Sequence, residues 1–217
     1  KKYSIASPVL LPNFLIVDTL LVKDMPKYIK ACSFFDAFSQ AIESYWSNNS
    51  NITSKKFAIK AMNLIIKYKE EYLNNDFHSI KHIVEAAFYS GKAINISKTT
   101  LPHALSYFFS IKYNIPHGHA VALTLGFIAK NNYLHGNKDL KKIMIEICEI
   151  LKIEVNNFDQ FWYKLMQDFG LEIKLSNLGI EKQDLELIVD SVNVERLRNH
   201  PINFGNKILT EGLNSIF

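Results

Sequence analysis

The sequence contains few of the residues and patterns that mark several common classes of protein. Its 217 residues include two cysteines, Cys32 and Cys148, each in an apolar, helix-like context without CxxC or CxxH spacing. This argues against a disulfide framework and a zinc knuckle, and we expect both to be buried thiols. The eight glycines are scattered, and neither GxGxxG nor GxxxxGK occurs, which excludes a glycine-rich phosphate loop within the chain.

Arginine and long apolar runs are scarce as well. The two arginines are Arg196 and Arg198, and the formal net charge of +4 comes from lysines spread along the chain. Because there is no basic block, we do not expect binding to nucleic acid. The longest apolar runs, such as PVLLPNFLIV at 8–17, end well short of the roughly 20 residues that cross a bilayer, so we expect no membrane segment.

The chain begins without an initiator methionine and without the basic start, apolar middle and small-residue cleavage site of a signal peptide. We therefore expect a cytoplasmic protein, and we interpret the chain as a piece of something longer. Its 48% hydrophobic content is enough to bury a substantial core.

The hydrophobic pattern changes near Pro26. Residues 3–21 are rich in β-branched and aliphatic side chains and predict short strand segments. After Pro26, apolar residues recur every three or four positions, as in 57–73 and 140–153, which is typical of amphipathic helices. We predict a mainly α fold with a short N-terminal β segment. Capping chemistry predicts that helices start near Ser33, Thr53, Asp76 and Pro116.

Three of the seven histidines lie in one apolar stretch, HALSYFFSIKYNIPHGH, from His103 to His119. His103 and His117 are fourteen positions apart, and Pro116 directly precedes the second, so we expect them on different helices whose ends converge. Neutral imidazole is a common ligand of divalent transition metals, which indicates a metal site. If the second helix has begun, His119 points about 200° away from His117 and is interpreted as structural. We expect solvated side chains for four histidines near predicted helix ends or polar loops: His78, His82, His135 and His200.

A metal site of this kind needs a carboxylate, and the best candidate is Asp36. It lies in an otherwise apolar helical segment, with Gln40 one turn further on the same face. An alternative stays open, because Ser33 and Asp36 also fit a capping box. A single histidine on an apolar face is likewise often a core residue with a satisfied hydrogen bond.

Three segments of the sequence resemble the iron-containing alcohol dehydrogenases, relatives of glycerol dehydrogenase and dehydroquinate synthase. They are LIVDTLLVKDMPKYIKACSFFDAFSQAIESYWS, EAAFYSGKAIN and LPHALSYFFSIKYNIPHGHAVAL. In that family an Asp ends a strand, a Pro follows about eight residues later, and a helix carries an Asp and a His four apart with a Glu beyond. The residues in those places are Asp18, Pro26, Asp36 and Glu43. The family's remaining two metal ligands, histidines fourteen apart, correspond to His103 and His117.

The resemblance implies a two-domain enzyme that transfers a hydride between NAD(P) and a small aldehyde or alcohol. Residues 1–22 would be a strand segment of a missing N-terminal nucleotide-binding domain, and residues 23–217 an all-helical metal and substrate domain. The metal, iron or zinc, would be held by Asp36, His103 and His117. For the assembly, a homodimer is the expectation to test.

The sequence departs from the family pattern at two positions. Gln40 stands where the family places its second ligand, a histidine, and its amide oxygen predicts a fourth but weaker metal contact. Tyr107 stands where many members carry a further histidine. It is interpreted as a proton relay or, alternatively, as a core tyrosine.

The segment SGKAINISKTTLPH supplies two ammonium groups and two hydroxyls just before His103. They suit an anionic head group such as phosphonate, and they belong to Lys92, Lys98, Thr99 and Thr100. Together with Gln40, this segment resembles the phosphonoacetaldehyde reductase branch of the family. Two other functions stay open: a degenerate metal-binding module without redox activity, and a lyase of the dehydroquinate synthase type.

Overall fold

The computed structural model describes residues 7–192 and 197–217, and these ranges are mainly helical. The helices are α1 (Leu20–Lys23), α2 (Lys27–Trp46), α3 (Ile52–Leu73), α4 (Phe77–Ser97), α5 (Leu101–Lys112), α6 (His117–His135), α7 (Lys138–Leu151), α8 (Phe158–Asp168), α9 (Asp184–Asp190) and α10 (Asn206–Ser215). Short 3₁₀ turns occupy Pro8–Leu10, Val155–Asn157 and Ser176–Leu178. The prediction of a mainly α fold is confirmed.

The predicted short β segment is not observed over residues 7–22. This stretch holds one 3₁₀ turn and α1, and its apolar side chains are exposed, with Val9 89%, Phe14 90% and Ile16 91% accessible. A strand needs a neighbouring strand for its backbone hydrogen bonds, and the described residues supply none. Whether residues 1–22 belong to a nucleotide-binding domain stays a prediction.

The observed N-termini of the helices correct one of the interpretations that the sequence left open. Helix α2 begins at Lys27, with Pro26 as the residue before it, so Ser33 lies inside the helix and the capping-box interpretation of Asp36 is wrong. Helix α3 begins at Ile52 behind an Asn51 cap rather than at Thr53. The other two starts, at Asp76 and Pro116, are confirmed as N-cap positions.

Two helices, α2 and α6, run through the centre of the fold. Helix α2 packs against α3, α4, α6 and α7, and its Phe34, Phe35, Phe38 and Trp46 are almost completely buried. Most residues of α6 are also buried, which is typical of a helix that is apolar on all sides. Each such large side chain contributes about 1.5–3 kcal/mol to folding. The polar residues on these two helices are therefore held by a rigid apolar core.

A glycine sets the distance between the two central helices. A Cβ atom at Gly118 would lie 1.9 Å from the backbone oxygen of Cys32 and 2.9 Å from the Cβ of Asp36. Only glycine allows this approach, because the opposing atom is main chain and cannot rotate away. The contact brings the first turn of α6, and with it His117, next to Asp36.

The connection between α4 and α5 contains an unusual backbone conformation. Lys98 has φ 62° and ψ 173°, a region that is essentially restricted to glycine and costs about 1–3 kcal/mol for other residues. The chain then turns directly into α5, which carries His103.

Two expectations from composition can be compared with the structure. Cys32 and Cys148 are free, buried thiols as predicted, and burial raises their pKa values to about 11 and about 12. Among the described residues, we find no helix with the length and apolar character required to cross a bilayer.

Candidate metal centre

Three side chains from three helices converge at one point. Asp36 of α2, His103 of α5 and His117 of α6 each place one ligand atom so that all three atoms lie within 4.8 Å of one another. Asp36 Oδ1 is 3.4 Å from His103 Nε2 and 3.8 Å from His117 Nε2. The convergence predicted from the sequence is therefore present, and one carboxylate oxygen faces two imidazole nitrogens.

A buried carboxylate fixes the orientation of His103. Its Nδ1 bonds to Oε2 of Glu43, whose side chain is completely buried. The other oxygen, Oε1, accepts two hydrogen bonds of 2.8 Å from Thr100, one from its backbone N–H and one from its hydroxyl. Since Glu43 accepts the Nδ1 proton, Nε2, which faces Asp36, is the nitrogen that would bind a metal after losing its proton, the arrangement that metal-binding histidines commonly use.

A serine hydroxyl fixes the tautomer of His117 in a similar way. Ser106 Oγ donates to the backbone oxygen of His103 at 2.7 Å, and His117 Nδ1 lies 3.3 Å from the same hydroxyl. Because the hydroxyl proton is already directed to the carbonyl, the hydroxyl oxygen accepts from the Nδ1–H of His117. Nε2 of His117 then directs its lone pair toward Asp36.

One oxygen of Asp36 accepts a hydrogen bond, while the other, Oδ1, faces the two imidazoles without a hydrogen-bond partner. Gln40 Nε2 donates to Asp36 Oδ2 at 3.0 Å, and Gln40 Oε1 accepts from Ser90 Oγ at 3.3 Å. Asp36 Oδ1 and His103 Nε2 are buried without a hydrogen-bond partner. An unsatisfied buried polar atom costs about 1–3 kcal/mol. A divalent cation between these atoms would satisfy both, so the donor set fits a metal.

The electrostatics of the cluster favour positive charge. Burial alone would lower the pKa of His103, but the carboxylates of Glu43 and Asp36 outweigh it and raise the pKa to about 10. Burial alone would raise the pKa of Asp36, but His103 and His117 outweigh it and lower the pKa. An environment that stabilises a proton between these groups also stabilises a metal cation there.

The residues predicted to bind an anion lie in different surroundings. Lys92 is exposed, with Nζ 4.5 Å from the ring centroid of Phe57, and Lys98 is exposed, with Nζ donating to the backbone oxygen of Asn95. Thr99 is half-buried.

Thr100 is only 1% exposed, and its hydroxyl donates to Glu43 and accepts from Trp46 Nε1. With both bonding directions used inside the protein, Thr100 is not placed for the predicted contact with substrate.

Tyr107 lies on α5 one turn after His103. Its side chain is half-buried, and its ring centroid is 6.2 Å from that of His117. This places the tyrosine beside the cluster, while its predicted role as a proton relay stays a prediction.

The other buried histidines are occupied by hydrogen bonds within the fold. His119 Nδ1 pairs with Tyr28 Oη at 3.0 Å and its Nε2 with the backbone oxygen of Glu172 at 2.7 Å, so its structural interpretation is confirmed. The expectation that His200 is solvated is wrong. This residue is 3% exposed, and its Nε2 lies 3.0 Å from Asn132 Oδ1.

Sequence reasoning did not assign roles to Glu43, Thr100 and Ser106 in positioning the ligands. One signal was available for Glu43, which follows Asp36 by seven residues and therefore lies on the same face of the helix two turns later. Ser106 and Thr100 offer no such signal, because their contacts depend on how α4, α5 and α6 meet.

The sequence that builds this site matches a known protein family. Residues 30–215 match the family model described as Fe-containing alcohol dehydrogenase family, C-terminal. The chain therefore belongs to the iron-containing alcohol dehydrogenase family.

Similar proteins are found among curated sequences and among solved structures. The chain is 28% identical over 196 residues to the 4-hydroxybutyrate dehydrogenase of Clostridium kluyveri, covering 88% of this chain and 53% of the relative. It is 27% identical over 135 residues to the phosphonoacetaldehyde reductase of Streptomyces viridochromogenes, covering 61% and 34% respectively. The chain thus spans about half or less of the length of these relatives.

Among solved structures, the fold is similar to that of the sulfoacetaldehyde reductase from Bifidobacterium kashiwanohense in complex with NAD+. The TM-score is 0.88 at 25% identity, and the match covers 98% of this chain and 56% of the other.

Proposed function

We propose that this chain is the metal-binding helical part of an NAD(P)-linked alcohol dehydrogenase or aldehyde reductase. The observation that carries the proposal is the convergence of one carboxylate oxygen and two imidazole nitrogens, with Asp36 Oδ1 and His103 Nε2 lacking any other partner. Asp36, His103 and His117 would hold the metal, iron or zinc. When bound, such a metal supplies Lewis-acid polarisation of a substrate oxygen.

The chain's own residues would perform three tasks in this reaction. Three protein ligands leave a coordination position for substrate, as in catalytic metal sites. The apolar core around α2 and α6 would exclude bulk water, which strengthens electrostatic interactions in the site. Tyr107, beside His117, is proposed to hold or pass a proton at the substrate oxygen through its hydroxyl.

Gln40 keeps its proposed place in the site, in a modified role. Its amide N–H donates to Asp36 and its oxygen accepts from Ser90, so in this arrangement it supports the ligand Asp36. The proposed fourth metal contact requires the amide to rotate. Gln40→His is expected to tighten metal binding, and an unchanged affinity would remove position 40 from the ligand set.

A small aldehyde with an anionic group is the proposed substrate. The support is chemical, because the names 4-hydroxybutyrate dehydrogenase, phosphonoacetaldehyde reductase and sulfoacetaldehyde reductase all refer to compounds with an anionic end. Lys92, Lys98 and Thr99 remain the proposed contacts for that group. NAD(P) would be bound by a separate nucleotide-binding domain, to which residues 1–22 are proposed to contribute. A cytoplasmic location and a homodimeric assembly stay part of the proposal.

Metal titration tests the core of the proposal. Purified full-length protein is stripped with a chelator and titrated with Zn²⁺ and, anaerobically, with Fe²⁺. We expect one site per chain, lost in Asp36→Ala and His117→Ala. The matched control is His135→Ala at the exposed end of the same helix as His117, which should bind as the wild type does. Equal binding by all four proteins would contradict the proposal.

Cofactor oxidation tests the reaction. The metal-loaded full-length protein is assayed for NADH and NADPH consumption with phosphonoacetaldehyde, sulfoacetaldehyde, succinic semialdehyde and propionaldehyde. We expect consumption, fastest with one of the three anionic aldehydes. Metal binding with no consumption of either cofactor would favour the non-redox module instead.

A further inference from the structure

Asn199 lies outside the cluster of ligands, yet its side chain joins two segments that support the cluster. Its Nδ2 donates to the backbone oxygens of Ser97 at 2.8 Å and Thr99 at 2.9 Å. Its Oδ1 accepts from Ser47 Oγ at 2.8 Å and from the N–H of Asn49 at 3.1 Å. Both amide protons and both acceptor positions are therefore used, which fixes the side chain between the end of α2 and the α4–α5 connection.

The two carbonyls that Asn199 holds flank Lys98, the residue with the glycine-like backbone. Lys98 has φ 62° and ψ 173°. A residue with a side chain persists in such a conformation only where the surrounding structure determines it, and such residues cluster at functional sites. The contacts of Asn199 on either side of Lys98 supply part of that constraint. The rest comes from hydrogen bonds of the Lys98 N–H to the Ile94 oxygen and of Ser47 Oγ to the Ser97 oxygen.

The backbone conformation at Lys98 places Thr100 next to Glu43. The N–H and the hydroxyl of Thr100 both donate to Glu43 Oε1, and Glu43 Oε2 bonds to Nδ1 of His103. We infer that Asn199 is a positioning residue of the metal centre: it holds Lys98 in a glycine-like conformation, which aims Thr100 at Glu43 and thereby fixes His103. The inference rests on the proposed metal-binding function.

A double-mutant cycle on metal affinity tests this inference. Zn²⁺ affinity and thermal unfolding are measured for the full-length wild type, Asn199→Ala, Lys98→Gly and the double variant. Removal of a direct outer partner of a metal ligand weakens affinity about 10- to 100-fold. Because Asn199 acts on Glu43 through the Lys98 turn and Thr100, we expect a smaller loss for Asn199→Ala, up to about 10-fold. Glycine adopts the required φ without a clamp, so Lys98→Gly alone should leave Zn²⁺ affinity unchanged, although it removes a proposed contact to the substrate anion. The double variant should recover most of the loss in Zn²⁺ affinity.

The rescue separates positioning from general stabilisation, because a purely structural role for Asn199 predicts additive effects. The matched control is Asn137→Ala, which removes the cap hydrogen bond to Leu140 N at the start of α7. It should lower the unfolding temperature and leave Zn²⁺ affinity unchanged. If Asn199→Ala does not fold, Ser47→Ala takes its place in the same cycle. This variant removes a hydroxyl that lies 2.8 Å from both Asn199 Oδ1 and the Ser97 backbone oxygen, and so weakens the same support of the turn.

The outcomes distinguish this inference from the proposed function. A wild type that binds no metal, or that binds equally well after Asp36→Ala, overturns the proposed function. A wild type that binds metal through Asp36 but keeps its affinity in the Asn199 variant, or shows no rescue by Lys98→Gly, overturns only the role of Asn199.

Discussion

Two buried histidines in this fold have similar accessibility and opposite electrostatic surroundings. His103 is 5% exposed and His200 is 3% exposed, and each has one ring nitrogen without a hydrogen-bond partner. Around His200, burial acts without an opposing charge and lowers the pKa to about 3. Around His103, burial is outweighed by Glu43 and Asp36, and the pKa rises to about 10. Of these two buried histidines, only His103 has surroundings that favour a cation, because two carboxylates accompany it.

The largest expected effect is the loss of Zn²⁺ affinity in His103→Gln, with His200→Gln as its control. His103→Gln removes a ligand and should weaken Zn²⁺ binding more than about 100-fold, since outer partners alone account for about 10- to 100-fold. His200→Gln keeps an N–H donor for Asn132 and should leave the affinity unchanged. Calorimetric titration measures both. Similar losses of Zn²⁺ affinity in the two variants would mean that both histidines act through the stability of the fold and that His103 is not a metal ligand.

Glu43→Gln removes the charge next to His103 and keeps the shape of the side chain, so it tests the role of that carboxylate directly. Three donors point at its carboxylate: the N–H and hydroxyl of Thr100 and the Nδ1 of His103. In Glu43→Gln one amide oxygen cannot accept from both Thr100 and His103 Nδ1, so His103 loses its fixed tautomer. Zn²⁺ affinity should therefore fall about 10- to 100-fold.

The control for this change is Glu146→Gln, which affects the carboxylate that accepts from Tyr45 Oη at 3.0 Å. Zn²⁺ affinity of the control should not change. A Glu43→Gln variant with wild-type affinity would show that the carboxylate does not orient His103.

The approach of α2 and α6 can be tested through glycine. At Gly118 a new Cβ would meet the Cys32 backbone oxygen at 1.9 Å, so Gly118→Ala should lower the free energy of unfolding by about 1–3 kcal/mol. A new Cβ at Gly91, in α4, would meet no atom within 4 Å, and Gly91→Ala should raise the free energy of unfolding by about 0.5–1 kcal/mol. Urea denaturation distinguishes them. Two variants of equal stability would show that the close approach is not required.

The smallest expected effect concerns pH and His200. Its folded pKa, about 3, lies below its ordinary value of 6.5. Above pH 6.5 the imidazole is neutral in both states and has no effect. As the pH falls below 6.5, the unfolded chain binds a proton that the folded chain excludes, so stability falls by about 1 kcal/mol between pH 6 and pH 5.

His200→Gln removes this titration and should reduce the decrease by that amount. Urea denaturation at both pH values gives the difference between wild type and variant, in which the contributions of other groups cancel. Identical decreases would show that His200 titrates normally in the folded protein.

Much of the fold and part of the site could be predicted from the sequence. Apolar periodicity after Pro26 is a local property, and it predicted the helices. The spacing of His103 and His117 and the isolated acid at Asp36 predicted a cluster, because acidic and imidazole side chains in apolar segments need partners. The structure brings these three side chains together, and metal binding by them stays a prediction.

The remaining features depend on contacts between distant parts of the chain. Asn199 reaches the α4–α5 connection across about a hundred residues, and no local pattern reports such a contact. The strand prediction over residues 7–22 failed for a related reason, since β-rich composition does not supply a pairing partner. The hydroxyl of Thr100 suggests a substrate contact only as long as its neighbours Glu43 and Trp46 are unknown.

The hydroxyl of Ser106 links the two histidines of the cluster. One oxygen receives the proton of His117 and gives its own to the backbone of His103, so the protonation pattern of the second imidazole is set by the main chain that carries the first. The α5–α6 hairpin therefore orients His117 with its own atoms, whereas His103 also needs Glu43 of α2. A graft of this hairpin into another bundle would have to include, on the facing helix, an aspartate and a glutamate seven residues apart.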